Sequence, residues 1–266
     1  MSHVPAVRFC PVTFLLLFVL LFPGSARAAD DAQMKETVRR VLRENPDLIL
    51  DILKDHSEMV LEIAQQGQNL RSRRTMRSQW ESDIRSPKSP SLEGRAIRGN
   101  PAAPVTIVAY SDYQCPYCRM AEENINALLG RHPDAVRLVF KALPNTKSDL
   151  AVAVAKYGTA AFNQDADKAW QFHDALFARA EDIEKNGDTA VKALAVKCGL
   201  DLKRLMADAA SAKIRERMAA DEAEAEGFGI RGTPYFLMND ILVRGAVPRD
   251  MLEEALQKAL ALKKEG

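Results

Sequence analysis

Two cysteines separated by two residues constrain this chain more than any other feature of it. Cys115 and Cys118 stand between a β-prone run, Val105–Tyr110, and a helical pattern that starts near Cys115 and continues through Met120, Ile125 and Leu128. Cysteines so spaced on the first turn of a helix can close a disulfide with little backbone movement. The first sulfur lies near the unpaired amides of the helix start. Those amides and the helix dipole favour thiolate over thiol at Cys115. A stabilised thiolate is a good leaving group, so a Cys115–Cys118 disulfide is expected to be oxidising and exchangeable. Cys118, one turn further in, is expected to be the more buried sulfur, placed to attack a mixed disulfide and release the substrate.

Other chemistry uses the same spacing. A structural zinc site needs two more ligands. Past residue 28 the chain offers Cys198, His56, His132 and His173, with no second paired cluster. A static disulfide is a further alternative. The two thiolates could also ligate copper(I), although the nine methionines form no cluster that supports a dedicated copper site. Otherwise no cofactor is implied.

The N-terminus reads as an address. Arg8 gives a cationic start, an apolar run extends from Val12 to Phe22 broken only by Thr13, and Ala26-Arg27-Ala28 has the small-residue spacing of a cleavage site. The run is shorter than the roughly 20 residues a membrane-spanning helix needs. Residues 1–28 are therefore expected to be a signal peptide cleaved after Ala28, carrying Cys10 away. Export places the mature chain in the periplasm or an equivalent oxidising space, where disulfides persist. Cys115, Cys118 and Cys198 remain there, an odd number. The 37 basic and 36 acidic residues nearly cancel, which argues against a nucleic-acid partner.

Residues 29–84 read as a helical stalk, with apolar positions at Val38, Val41, Leu42, Ile49, Ile52, Leu53, Met59, Val60 and Ile63. Asn45-Pro46-Asp47 interrupts it, so a short helix is expected to end near Glu44 and a longer one to start at Pro46. Little sequence is left to cover this apolar stripe, which must pack on the main domain or on copies of itself. Arg71, Arg73, Arg74 and Arg77 are read as a solvated helix face. Residues 85–103, rich in Pro and Gly, read as a linker with one short strand around Leu92–Ile97.

Residues 104–266 read as an α/β domain: the β-α-β unit Val105–Tyr110, the Cys115 helix and Ala135–Phe140; a helical block at about 148–226; then Tyr235–Met238 and Ile241–Arg244 as a hairpin across Asn239-Asp240, and a last helix opened by Pro248. A second signal, Gly232-Thr233-Pro234, stands just before the Tyr235 strand. Alone, an X-Pro bond is cis in only about 5–6% of cases.

Three segments together carry a resemblance. Tyr110 to Arg119, Tyr-Ser-Asp-Tyr-Gln-Cys-Pro-Tyr-Cys-Arg, looks like the active-site signature of DsbA-type thioredoxin-fold proteins. Phe172-His173-Asp174-Ala175-Leu176-Phe177 resembles a stretch of that family's helical insertion, and Gly229-Ile230-Arg231-Gly232-Thr233-Pro234 resembles its cis-proline loop. The similarity covers about Gly99 to Leu262. It implies a thioredoxin fold with a helical insertion, preceded by the α-helical stalk. It also implies a cis Thr233–Pro234 bond, with Cys115, Cys118, Thr233 and Pro234 as the catalytic set and Pro116, Tyr117 and Gly232 against the substrate. Thr233 would tune the sulfurs, and the loop would pair with the main chain of an extended client.

Arg43-Glu44-Asn45-Pro46-Asp47-Leu48-Ile49 is similar to the stalk of the ScsC-like branch, associated with copper tolerance. That branch implies a homotrimeric disulfide isomerase acting on unfolded or misoxidised secreted proteins, with a membrane thiol-redox partner. Two departures bear on direction. Oxidase members place His where this chain has Tyr117, and they often carry an acid where it has Ala109. Tyr117 offers no cation near neutral pH, which shifts the expectation from a DsbA-like monomeric dithiol oxidase toward an isomerase. His173 is read as a packed helix residue, and Cys198 as a buried apolar thiol with Lys197 beside it.

Overall fold

This computed structural model describes residues 24–145 and 148–265, with side chains over 31–145 and 148–264. The expected signal segment therefore lies outside the described residues as far as Pro23. Two compact units divide the chain, residues 1–69 and 70–266.

In the first unit, α1 (Gly24–Glu44) and α2 (Pro46–Asp55) meet at Asn45. Pro46 occupies the first helical position, where its missing amide is no loss. No residue of α2 is buried, and Leu48, Ile49, Leu50, Ile52 and Leu53 are all exposed. The helix expected to run on from Pro46 stops at Asp55, and α3 (Ser57–Ile84) starts after His56.

The last part of α3, from Leu70 onward, belongs to the second compact unit. The cause is tertiary. Trp80 is fully buried in the main core. Asp83 is buried too, and its carboxylate accepts two hydrogen bonds from Arg244 at 2.8 Å and one from Lys88 at 3.1 Å. The arginine cluster divides as well. Arg73 pairs with Asp250 at 2.7 Å and Arg77 forks onto Glu254, so these two are not simply solvated.

The second unit is built on a five-stranded sheet of order β1-β3-β2-β4-β5. β2 (Val105–Ser111) and β3 (Val136–Ala142) run parallel, joined by α4 (Pro116–Arg131). β4 (Tyr235–Met238) lies antiparallel to β2, and β5 (Ile241–Arg244) returns beside it. Asn239 makes the tight turn between them at φ +51, and its side chain and amide tie the turn to Thr106 and Pro104. The linker strand expected at Leu92–Ile97 is instead β1 (Arg98–Gly99), paired antiparallel to β3. Residues before it are held by side chains, with Arg95 on Asp221 and the Ser91 amide on Glu224.

β2 buries both faces. Val105, Ile107 and Ala109 enter the larger core, while Val108 and Tyr110 enter the smaller one across the sheet. Between β3 and β4 come α5 (Asp149–Ala161), α6 (Ala166–Ala178), α7 (Ala180–Lys197), α8 (Leu202–Ala210) and α9 (Ala212–Gly227); α10 (Arg249–Glu265) closes the chain. α5, α6, α8 and α9 each begin at a Ser or Asp whose side chain accepts an amide of the first turn.

Candidate active site

Strand register assembles the site. Tyr110 of β2 stands opposite Tyr235 of β4. The residues that follow Tyr110 and those that precede Tyr235 must therefore leave the sheet at the same end. This brings Cys115 beside the Thr233–Pro234 bond, which is cis. The Cys115 sulfur lies 3.9 Å from the Thr233 carbonyl oxygen.

Cys115 is the N-cap of α4, with extended φ/ψ of −87 and 121, and Pro116 fills the first turn. The Cys115 carbonyl already accepts the amides of Cys118 and Arg119 at 3.0 and 3.1 Å, while its side chain caps nothing and is free to react. Cys115, Cys118 and Cys198 are free thiols. Cys115 is half-buried and Cys118 is 1% exposed. Burial pushes the Cys118 thiol up to about 12. The Ser111 hydroxyl, the Asp112 amide and the Thr233 hydroxyl offset part of this, and the Cys115 sulfur adds to it. Of the three donors the Asp112 amide has the firmest claim, at 3.4 Å from the sulfur. Thr233 Oγ1 is buried without a partner in hydrogen-bond geometry.

Pro116 and Tyr117 are exposed and Gly232 is half-buried, so the residues expected against a substrate do reach the surface around the sulfurs. Cys198 is half-buried at the C-cap of α7, less enclosed than expected, and burial still raises its thiol against the pull of Lys197.

The geometry adds residues that the sequence pattern did not single out. Asp112 is buried and accepts the Gln114 amide at 2.9 Å on one oxygen and the Asn145 amide at 3.0 Å on the other. It pins the loop that delivers Cys115. Glu122, one turn beyond Cys118, is buried against His173. His173 is packed, as expected, but both ring nitrogens are engaged: Nε2 with Glu122 at 3.1 Å and Nδ1 with the Tyr113 hydroxyl at 3.0 Å. The rings of Tyr113, Phe140, Trp170 and Phe177 surround it. Loop, α4 and α6 are thereby locked to one imidazole. Glu122, His173 and Asp174 have metal-ligand spacing, but Arg98 already occupies Asp174 at 2.7 Å. That cluster offers nitrogen and oxygen donors, unsuited to copper(I).

A sheet of this order, a cysteine pair at the helix that follows its central strand, and a cis-proline loop against the first sulfur define a thioredoxin fold. A family model described as Thioredoxin matches residues 91–258, and the chain belongs to that family. A Na(+)/H(+) antiporter NhaA 3 from Salinispora tropica is 32% identical over 188 residues, 69% of this chain but 28% of that relative's length. Disulfide bond formation protein D of Bacillus subtilis is 24% identical over 64% of this chain and 79% of its own. Among solved structures, a thioredoxin-like oxidoreductase from Silicibacter pomeroyi superposes with TM-score 0.56 at 31% identity, covering 64% of this chain and 94% of that one. ScsC from Proteus mirabilis superposes with TM-score 0.56 at 19% identity over 88% of this chain and 98% of its own, a likeness of fold. Among the described residues no helix is long and apolar enough to cross a membrane.

Proposed function

We propose that the mature protein exchanges disulfides of secreted proteins in the periplasm, and that it works chiefly as an isomerase. The Cys115 thiolate attacks a client disulfide, forming one Cys115–client bond and releasing one client thiolate. From there two routes diverge. If Cys118 attacks the Cys115 sulfur, the second client sulfur leaves and the Cys115–Cys118 disulfide forms, so two electrons have passed to the client. If another client thiolate attacks first, Cys115 is regenerated, a new client disulfide exists, and no net redox change has occurred.

The observation that carries the isomerase reading is the burial of Cys118. Burial holds this thiol above the ordinary value, so it is largely protonated at working pH and attacks slowly. The mixed disulfide then lives long enough for the client to resolve it. Tyr117 in place of a cation acts in the same direction. Thr233 and Pro234 shape the groove floor, and Pro116, Tyr117 and Gly232 border it. Unfolded or misoxidised secreted proteins are the clients, and a membrane thiol-redox partner keeps the pair reduced.

Refolding of a scrambled disulfide protein tests the reading. The wild-type chain is expected to accelerate recovery, Cys115→Ser to abolish the effect, and Cys118→Ser to retain shuffling while losing net transfer of electrons. Equal recovery with wild type and Cys115→Ser overturns it.

A further inference from the structure

We infer that a groove on the side of Cys115 formed by the helical insertion is a second client subsite, one that selects a cationic side chain beside the client cysteine. The inference rests on the exchange reading above and adds what the client must carry.

The groove holds about 460 Å³ and has Cys115 in its wall. Its apolar surface comes from Pro116 at the start of α4, Leu150 at the start of α5 and Ala180 at the start of α7. Two features give it polarity. Gln114 lines it, and the Gln114 Nε2 is buried with no hydrogen-bond partner among the described residues. A buried amide donor left unpaired is a destabilising feature that an added acceptor would relieve. The main-chain carbonyl of an extended client, lying beside its own disulfide, is such an acceptor. The second feature is charge. Arg119 and Glu181 satisfy each other at 3.2 Å across the groove. Glu184, one turn beyond Glu181, lines the same groove and has no ion-pair partner among the described residues. With Arg119 engaged, the described lining of the groove carries one carboxylate without an ion-pair partner, which fits a lysine or arginine.

This complements the Thr233 side of the sulfur. Pairing there involves the main chain and is indifferent to client sequence, whereas a pocket for one side chain discriminates. The contact is partly exposed, so its effect is modest, about two- to fivefold in rate.

The test uses the full reduced chain and peptides that differ only in carrying Lys, Ala or Glu beside a single cysteine, on each side of it in turn. The cysteine is blocked as its disulfide with thionitrobenzoate. Attack by the Cys115 thiolate forms the Cys115–peptide disulfide and releases the yellow thionitrobenzoate anion, whose appearance gives the rate. The readout is the Lys-to-Glu rate ratio. In the wild-type chain it is expected to exceed one by the stated factor and to fall at high salt. In Glu184→Lys it is expected to invert, and in Glu184→Gln to approach one. Thermal melting confirms that both variants are folded. A ratio that stays the same in Glu184→Lys overturns the subsite while leaving exchange intact. Absence of thionitrobenzoate release from every peptide overturns the exchange reading and the subsite with it.

Discussion

At the scale of single residues, the two sulfurs differ because one is half-buried and the other enclosed beneath it. Cys118 is 1% exposed, and its thiol is raised to about 12 chiefly by burial. This fixes a sign. Between the ordinary thiol value and about 12, the folded reduced protein keeps a proton that the unfolded chain has lost. The stabilising contribution of Cys118 is therefore complete below the ordinary thiol value and falls as pH rises across that interval. Reactivity follows the same proton. Near neutral pH the thiolate fraction at Cys118 is well below that of an ordinary cysteine. Alkylation of the reduced native protein, followed residue by residue by mass spectrometry, is expected to modify Cys118 far more slowly than in the urea-unfolded chain. Its rate should still climb with pH where the unfolded chain has levelled off. Similar rates in the two states would show that this sulfur is neither enclosed nor protonated.

At the scale of elements, the reactive loop is held by a helix that approaches it without a side chain. Gly158 lies inside α5, and a Cβ built there would stand 2.6 Å from the Tyr113 ring. Tyr113 has no room to retreat, since it is 1% exposed and its hydroxyl engages His173. On propensity alone Gly158→Ala would stabilise a helix by roughly 1 kcal/mol. Here overpacking reverses the sign, and a loss of about 1–3 kcal/mol is expected, read as a lower melting temperature. Alanine at 158 that raised the melting temperature would mean that α5 and the loop are looser than described.

This contact also marks where the sequence stops being readable. The strands Val105–Ser111 and Val136–Ala142, the Asn239–Asp240 turn and the helix start at Pro116 are encoded locally, by β-branched runs, a turn residue that tolerates positive φ and a proline at the first helical position. The pairing of Cys115 with the Thr233 loop was legible only through the family resemblance, which implied a cis-proline loop beside the sulfurs. Asp112, Glu122 and Gly158 were not, because each acts through a partner distant in sequence: Asn145, His173 and Tyr113. β1 was misplaced for a related reason. Two residues paired at a sheet edge leave no periodicity to read. Trp80 gave no warning either, since one aromatic on an exposed-looking helix does not reveal whether a core lies against it.

At the scale of the whole molecule, what remains unsatisfied is the apolar surface of residues 31–69. Val38 is 49% exposed, Ile52 58%, Met59 59% and Ile63 62%, all within the first unit. Single exposed apolar side chains are ordinary, but a run of them along successive helices marks an interaction surface. Self-association through these helices is one way to cover it, and the resemblance of the Arg43–Ile49 run to stalks that trimerise makes three chains the expectation to test. Assembly would also bear on direction: a particle carrying several reduced cysteine pairs offers one client repeated attack, which suits isomerisation more than single-pass donation. Light scattering of the mature chain is expected to give the mass of three chains. The double substitution Ile52→Asp with Leu53→Asp, which buries charge in the proposed contact, is expected to give the mass of one. The cysteine pair, in the other unit, should keep its reactivity toward a small disulfide in that variant while shuffling of a scrambled protein slows. A wild-type chain that is monomeric throughout the micromolar range would leave the apolar run without a partner and remove assembly from the account of isomerisation.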